Sequence, residues 1–407
     1  MVDFVRKPGE IISEGVFINT DTERVDISSF ALEIILYEDI FSNVMTGSII
    51  MDDAASLITE LPIKGNEIIE LTFRTPGFDS TIQGIFNITS ISERTLGEKS
   101  QSYILHIISQ EGFVDNFTTV SQKFQGKTDE VIANIFSRYL YRDKPLNVTE
   151  KHSSSISMVS PYWSPLKIIN WISQRSFNNA PNVVFFESNK KFYLTSIEDL
   201  TRGPITQTYF YGPNATSSNI DIASKYNIIS TLAPIRFLDV LEAQDFGYFS
   251  SSLVTHDITK KSFTDVVFNY NTKYSEYKHL DENEPFTHII SNPTSFRRVK
   301  TQQQHMFSEN AIPNYDKWIL QRNSLMYEAS NERLSIIVPG RTDVEVGQVI
   351  QCNITKSIAK DTAKTEDEML DPYLSGKYLI TAIRHKFSLN THEMAMEIMK
   401  DSFTSSL

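Results

Sequence analysis

Two stretches of alternating apolar and polar residues dominate the chain, and they are nearly the same stretch: Gly84-Ile-Phe-Asn-Ile-Thr-Ser-Ile91 and Gly376-Lys-Tyr-Leu-Ile-Thr-Ala-Ile383. The glycine, Ile88/Ile380, Thr89/Thr381 and Ile91/Ile383 coincide. Phe86 and Ile88, like Tyr378 and Ile380, recur at every second position, the period of a strand with one buried face. A second alternating run follows each stretch, at 102–109 and 393–399, so each pair predicts an antiparallel hairpin entered through a glycine. Upstream, Gly65-Asn-Glu-Ile68 corresponds to Gly347-Gln-Val-Ile350 at an offset of about 280 to 290 positions. Gly47-Ser-Ile-Ile-Met-Asp-Asp53 corresponds to Ser251-Ser-Leu-Val-Thr-His-Asp257, but at an offset of only about 200. These offsets imply a duplicated β-unit whose second copy carries an insert of roughly 75 to 80 residues.

The remaining periodicities fill in the chain. Residues 1–29 are polar and turn-rich, and strands are expected at 30–37, 44–51, 68–73, 82–91 and 102–109. Thr128 to Tyr141 opens on a capping residue with acids in the first turn and puts Val131, Ile132, Ile135, Phe136 and Tyr139 on one face, the signature of a helix. A Ser-rich linker at 153–160 leads to a second helix, with Ser164 as cap and Pro165 at its first position. A hairpin at 183–187 and 191–196 follows across Ser188-Asn189. Strands are expected again at 235–241, 248–256 and 263–270. An acidic loop at 281–285, a Gln-rich stretch at 302–304 and a helix at 315–329 precede the strand from Leu334 to Pro339. The polar loop 360–372 is expected to be exposed and mobile.

The fold class expected is mixed and mainly β: two homologous small antiparallel β-barrel domains, the second split by an insert, plus α+β insert domains. The first barrel is placed at 1–112, an α+β domain at 113–225, and the second barrel at 226–257 and 334–402. The insert 258–333 carries a helix and is expected to pack with the 113–225 domain.

Composition narrows the function. The 407 residues carry 38 basic against 50 acidic side chains, a net charge of −12, with no basic cluster beyond Arg297, Arg298 and Lys300. This argues against a nucleic-acid-binding face. Hydrophobic residues make up 40% of the chain, enough for sizeable cores, and no apolar run is long enough to cross a bilayer. The single cysteine, Cys352, excludes an intramolecular disulfide and is read as a buried small hydrophobe. The N-terminus lacks the apolar segment of a secretory signal, so a reducing cytoplasm is expected. Asn87 and Asn353 match the glycosylation pattern and are read as strand-and-turn chemistry.

Catalytic patterns are absent or broken. There is no phosphate-binding glycine loop, no Gly-x-Ser-x-Gly elbow and no cysteine pair for zinc. His392-Glu-Met-Ala-Met396 begins like a zinc-protease helix but ends in methionine where the second histidine must stand, and its alternation reads as a strand. His385 is read as a surface histidine. Glu366, Asp367 and Glu368 are read as a solvated loop, and Trp163, Trp171 and Tyr162 as core rather than a sugar platform. No catalytic, cofactor-binding or metal-binding residue is assigned, and no cofactor is expected.

The split duplication, with Val338-Pro-Gly-Arg-Thr-Asp343, Gly347-Gln-Val-Ile350 and Ser375-Gly-Lys-Tyr-Leu-Ile-Thr-Ala-Ile-Arg-His385, resembles the baseplate hub proteins of T-even-like contractile-tailed bacteriophages. It also resembles the hub half of type VI secretion spikes. The resemblance implies a structural, non-enzymatic virion protein of the tail baseplate, assembled in the host cytoplasm. It implies a homotrimer whose six barrels form a ring that adapts the sixfold tail tube to the trimeric central spike. Neighbouring baseplate proteins would surround it, and DNA would pass through its channel without specific binding or membrane insertion. A tail-associated cell-wall hydrolase and a type VI-like spike component stay open as alternatives.

Overall fold

The computed structural model describes residues 7–20, 23–61, 63–65, 67–212, 222–237, 239–257, 261–284, 296–302, 315–356 and 369–404. The first seven strands are β1 (Ile12–Asn19), β2 (Arg24–Asp26), β3 (Ala31–Asp39), β4 (Thr46–Asp53), β5 (Ile68–Arg74), β6 (Thr81–Leu96) and β7 (Gln101–Ser109). Strict alternation sets their inner face: on β7, Gln101, Tyr103, Leu105, Ile107 and Ser109 are buried. Tyr103, Leu105 and Ile107 form one core with Ile34, Leu36, Ile49, Met51, Ile69, Leu71, Phe73, Phe86 and Ile88. Strands β1 and β2 lie in the stretch expected to be turns, because Gly15 and the polar Ser13 and Glu14 hide the alternation of Val16 and Ile18.

The middle of the chain supplies β8 (Lys123–Lys127), β9 (Leu146–Val148), β10 (Ser155–Val159), β11 (Val183–Glu187), β12 (Phe192–Ser196) and β13 (Ile205–Tyr211). Helices Thr128–Ile135 and Pro165–Ser173 pack on them around Ile132, Ile135, Phe136, Ile168, Ile169 and Ile172. The first of these helices continues as a π-helical turn, Phe136–Leu140. Two expectations are corrected here. The Ser-rich linker is strand β10, paired antiparallel with β8. Strand β13 leaves the α+β region and joins the large sheet, parallel to a strand of the second copy.

The last third contains β14 (Thr231–Arg236), β15 (Ser250–Asp257), β16 (Ser262–Asn269), β17 (Phe296–Gln302), β18 (Glu332–Pro339), β19 (Val349–Ile354), β20 (Gly376–Ser388) and β21 (Thr391–Lys400). Thirteen strands make one sheet in the order β14-β18-β21-β20-β3-β4-β7-β6-β5-β1-β2, with β19 and β13 branching from β20. The order β14-β18-β21-β20-β19 repeats β3-β4-β7-β6-β5.

The repetition reaches single atoms. Each long hairpin has a bulge at the same threonine, between Ile88 and Ser90 in one copy and between Ile380 and Ala382 in the other. Thr89 Oγ1 donates to the His106 carbonyl and Thr381 Oγ1 to the Glu397 carbonyl, each at 3.1 Å. A bulge takes a residue out of the ladder, and in both copies the threonine there bonds a carbonyl of the partner strand instead.

One half of the expected repeat is wrong. The counterpart of β4 is β18, not 251–257: strand β15 lies in a separate sheet ordered β16-β15-β17. The expected strand 235–241 is the end of β14 followed by the helix Val240–Phe246, capped by Asp239, whose side chain accepts from Glu242 N. The second barrel therefore draws on 231–236 and on 332–400, and its insert begins before β15. Strand alternation identifies a buried face but does not say which sheet buries it. The insert has its own core of Tyr248, Phe249, Leu253, Phe268, Tyr270, Trp318, Leu320 and Leu325, which also takes in Ala180. Its helix Tyr315–Asn331 runs directly into β18. Most of the polar loop 360–372 and of the Gln-rich stretch lies outside the described residues. No helix among the described residues is long and apolar enough to cross a membrane.

The bulge threonines differ in burial: Thr381 is buried and Thr89 exposed. Thr381→Val leaves a buried carbonyl unpaired, and is expected to cost about 1–3 kcal/mol in denaturant unfolding, whereas Thr89→Val costs less because water replaces the hydroxyl. Equal losses would contradict this account.

Candidate functional site

The two repeats meet where β20 pairs with β3, from Ala382 opposite Asp39 to Phe387 opposite Ile34. Strand β20 serves β19 along its first half and β3 along its second. The seam holds a buried polar line. His385 Nε2 lies 3.1 Å from Glu38 Oε1, and His385 Nδ1 lies 3.1 Å from His392 Nε2, with all three residues buried. His385 is thus not the surface histidine expected; strand pairing with the other repeat covers it. His392 sits on β21 as its alternation predicts. Its ring occupies the space beside Gly340, where a Cβ would stand 2.1 Å from the imidazole. Burial and then the neighbouring His385 hold the His392 imidazole well below its ordinary pKa, so it stays neutral. Phe387 stacks between His392 at 4.4 Å and Phe73 of the first repeat at 4.2 Å.

Other contacts close the seam. His392 N donates to the Gly9 carbonyl at 2.7 Å, tying the N-terminal segment to the second hairpin. Thr342 N donates to Thr75 Oγ1 at 3.2 Å, and Thr342 Oγ1 donates to the Ser80 carbonyl at 2.7 Å. The Arg341 guanidinium lies 4.6 Å from the Phe78 ring. A cavity of about 660 Å³ opens beside this seam, lined in part by Pro8, Lys225, Pro339, Lys386, His392 and Glu393.

Buried carboxyl groups hold the α+β regions to the barrels. Lys144 Nζ donates to Glu187 Oε1 at 2.6 Å, and Glu187 Oε2 accepts from Met45 N at 2.8 Å. Glu345 accepts from Ser188 Oγ at 3.0 Å and from Lys190 Nζ at 3.2 Å. The insert helix contributes Glu328, which accepts from the Tyr270 hydroxyl and faces His279. Burial raises the Glu328 carboxyl to about 8. Burial alone would lower His279, but Asp401, 3.4 Å away, and Glu328 overcome it and lift the imidazole to about 9. These are hydrogen-bonded buried acidic side chains, and removing one would leave its buried partners unsatisfied.

The remaining candidates are structural. Trp163 and Trp171 pack at 6.1 Å against the α+β core, while Tyr162 is 76% exposed and so is not core. Cys352 is buried and its thiol is pushed up to about 12. Glu366, Asp367 and Glu368 lie outside the described residues. Among the described residues, no group of three or more His, Cys, Asp and Glu is placed to hold a metal.

His392 gives the seam a pH signature. Its folded pKa is depressed, so below about 6.5 the unfolded chain takes up a proton that the folded chain refuses, and stability falls with pH by at most about 1.4 kcal/mol per unit. His392→Gln is expected to flatten the fall in unfolding free energy between pH 6.5 and 5 relative to the parent. Identical slopes would show that the buried imidazole does not titrate as argued.

No protein-family model and no curated protein matches the sequence. Solved structures match the fold over nearly all of it. A tail protein from Neisseria meningitidis has a TM-score of 0.56 at 10% identity, over 95% of this chain and 96% of the other. The 43 kDa tail protein of prophage MuSo2 from Shewanella oneidensis has 0.55 at 7% identity, over 96% and 99%. A chain of the half-lidded PdpA-VgrG complex of Francisella has 0.51 at 10% identity, over 96% of this chain but 58% of that longer one. The chain therefore has the fold found in phage tail proteins, with two joined repeats of one strand unit at its centre.

Proposed function

We propose that the chain is the baseplate hub subunit of a phage-type contractile tail. Three copies form a ring that joins the sixfold tail tube to a trimeric central spike and leaves a channel for DNA. The observation that carries this reading is the edge-to-edge fusion of two equivalent strand units in one sheet. One chain so built presents the same surface twice, and three such chains match both a sixfold and a threefold neighbour. The similarity to tail proteins along the whole chain supports it. The role is structural: Glu38, His385 and His392 of the seam are buried and bond to one another across the two repeats rather than facing solvent. A net charge of −12 suits a wall past which DNA slides. The site of action is the virion baseplate, reached by assembly in the host cytoplasm among neighbouring baseplate proteins.

A type VI-like spike hub is the second reading, favoured by the match to the PdpA-VgrG chain. Both readings require a trimer. Light scattering of the purified protein is expected to give about 140 kDa, three times the 46.5 kDa chain, alone or with its spike partner. A monomer that persists at high concentration with the spike present would overturn the ring. Copurification with tail tube rather than with secreted effectors separates the two readings.

A further inference from the structure

The intrachain seam specifies what its missing counterpart must be. Strand β20 is covered along its second half by β3. Its equivalent, β6, runs sixteen residues, yet β5 covers it only as far as Asn87, opposite Ile68. Residues 90–96 of β6 pair with β7 on one side and with no described strand on the other. Likewise β3 is flanked on both sides, whereas among the described strands its equivalent β14 pairs with β18 alone. Each repeat thus leaves one edge open: the first a strand edge like β20's, the second a strand edge like β3's. Both open edges carry exposed apolar residues, with Leu96 75% exposed on β6, and Ile235 and Phe237 46% and 45% exposed on and beside β14. The far end of the sheet is different: β2 is three residues long and reads Arg-Val-Asp, a short charged edge that discourages pairing.

We propose that residues 90–96 of β6 pair antiparallel with β14 of a second copy of this chain, repeating between subunits the joint that β20 and β3 make within one. This rests on the ring-forming reading above and names its contact. The register follows from the shared ladders. Lys386 pairs with Glu393 as Thr95 pairs with Ser102, and Ile35 pairs with Ser48 as Ala233 pairs with Ser335. Because Lys386 faces Ile35, Thr95 faces Ala233 of the neighbour, and Leu96 faces its Leu232 as Phe387 faces Ile34. The contact is heterologous, so it repeats head to tail rather than stopping at a dimer, and under the threefold reading above it closes after three copies.

The two joints are equivalent in position and unequal in make-up. Where the intrachain joint places buried His385, the intersubunit joint has Glu93, at a second bulge of β6 with φ of 53°, and opposite it Pro234, which donates no hydrogen bond. The intersubunit joint therefore has fewer backbone bonds and relies on Leu96, Ile235 and Phe237.

The test mixes two single variants, Thr95→Cys and Ala233→Cys, under mild oxidation; the native Cys352 is buried. Each carries one accessible thiol, so a disulfide between them is necessarily between chains. The expected result is a covalent dimer in the mixture and little in either variant alone. A trimer by light scattering that yields no crosslink would overturn this pairing and leave the hub reading standing. A persistent monomer would overturn both. As a second measurement, Leu96→Asp and Phe237→Asp, at exposed positions that should leave folding intact, are expected to weaken trimerisation at least tenfold. Unchanged association in both would also overturn the pairing.

Discussion

The architecture depends on one strand lending a single edge to two neighbours. Strand β20 meets β19 and then β3, and the bulge at Thr381 falls between the two engagements. A bulge adds local twist and re-aims the strand, which lets the second half of β20 leave its own barrel and enter the next. Thr381 satisfies the backbone there, Gly340 makes room for His392, and Phe387 enters the first core against Phe73. Remove that redirection and the repeats become two separate domains on a tether.

The seam is also where polar groups are most deeply committed. A carboxylate and two imidazoles in line, all buried, contribute little net stability over an apolar core, since desolvation offsets their attraction. Their value is register: a one-residue slip of β20 on β3 would turn His385 to the opposite face and leave Glu38 unpaired. The carboxyl groups of Glu187, Glu345 and Glu328 act in the same way at the borders of the α+β regions, where apolar packing alone would allow sliding.

Much of this was legible in the sequence, for reasons that can be named. The repeat of Gly84–Ile91 in Gly376–Ile383 was visible because strand period and bulge chemistry both leave marks at fixed spacing. The helices at 128 and 165 announced themselves through caps and apolar faces. The fate of 251–257 was hidden, since a short amphipathic strand carries no label for its sheet, although the true counterpart of β4 repeats Ser48-Ile49-Ile50 as Ser335-Ile336-Ile337. His385 could not be recognised as buried because one of the two strands that cover it, β3, lies more than three hundred positions away. Strand β13 was missed as a member of the large sheet for the same reason.

The junction of the insert helix with β18 has a mechanical meaning. Seventeen helical residues span about 25 Å and pass into the strand with no residue between them. Force carried by the chain out of that helix enters β18 directly, where ladders to β14 and β21 hold it on both sides. A strand pulled along its length yields only when many hydrogen bonds break together, whereas one peeled from its end gives them up singly. A push or pull received by the insert would reach the second barrel through β18, whose two flanking ladders must give way before the strand moves.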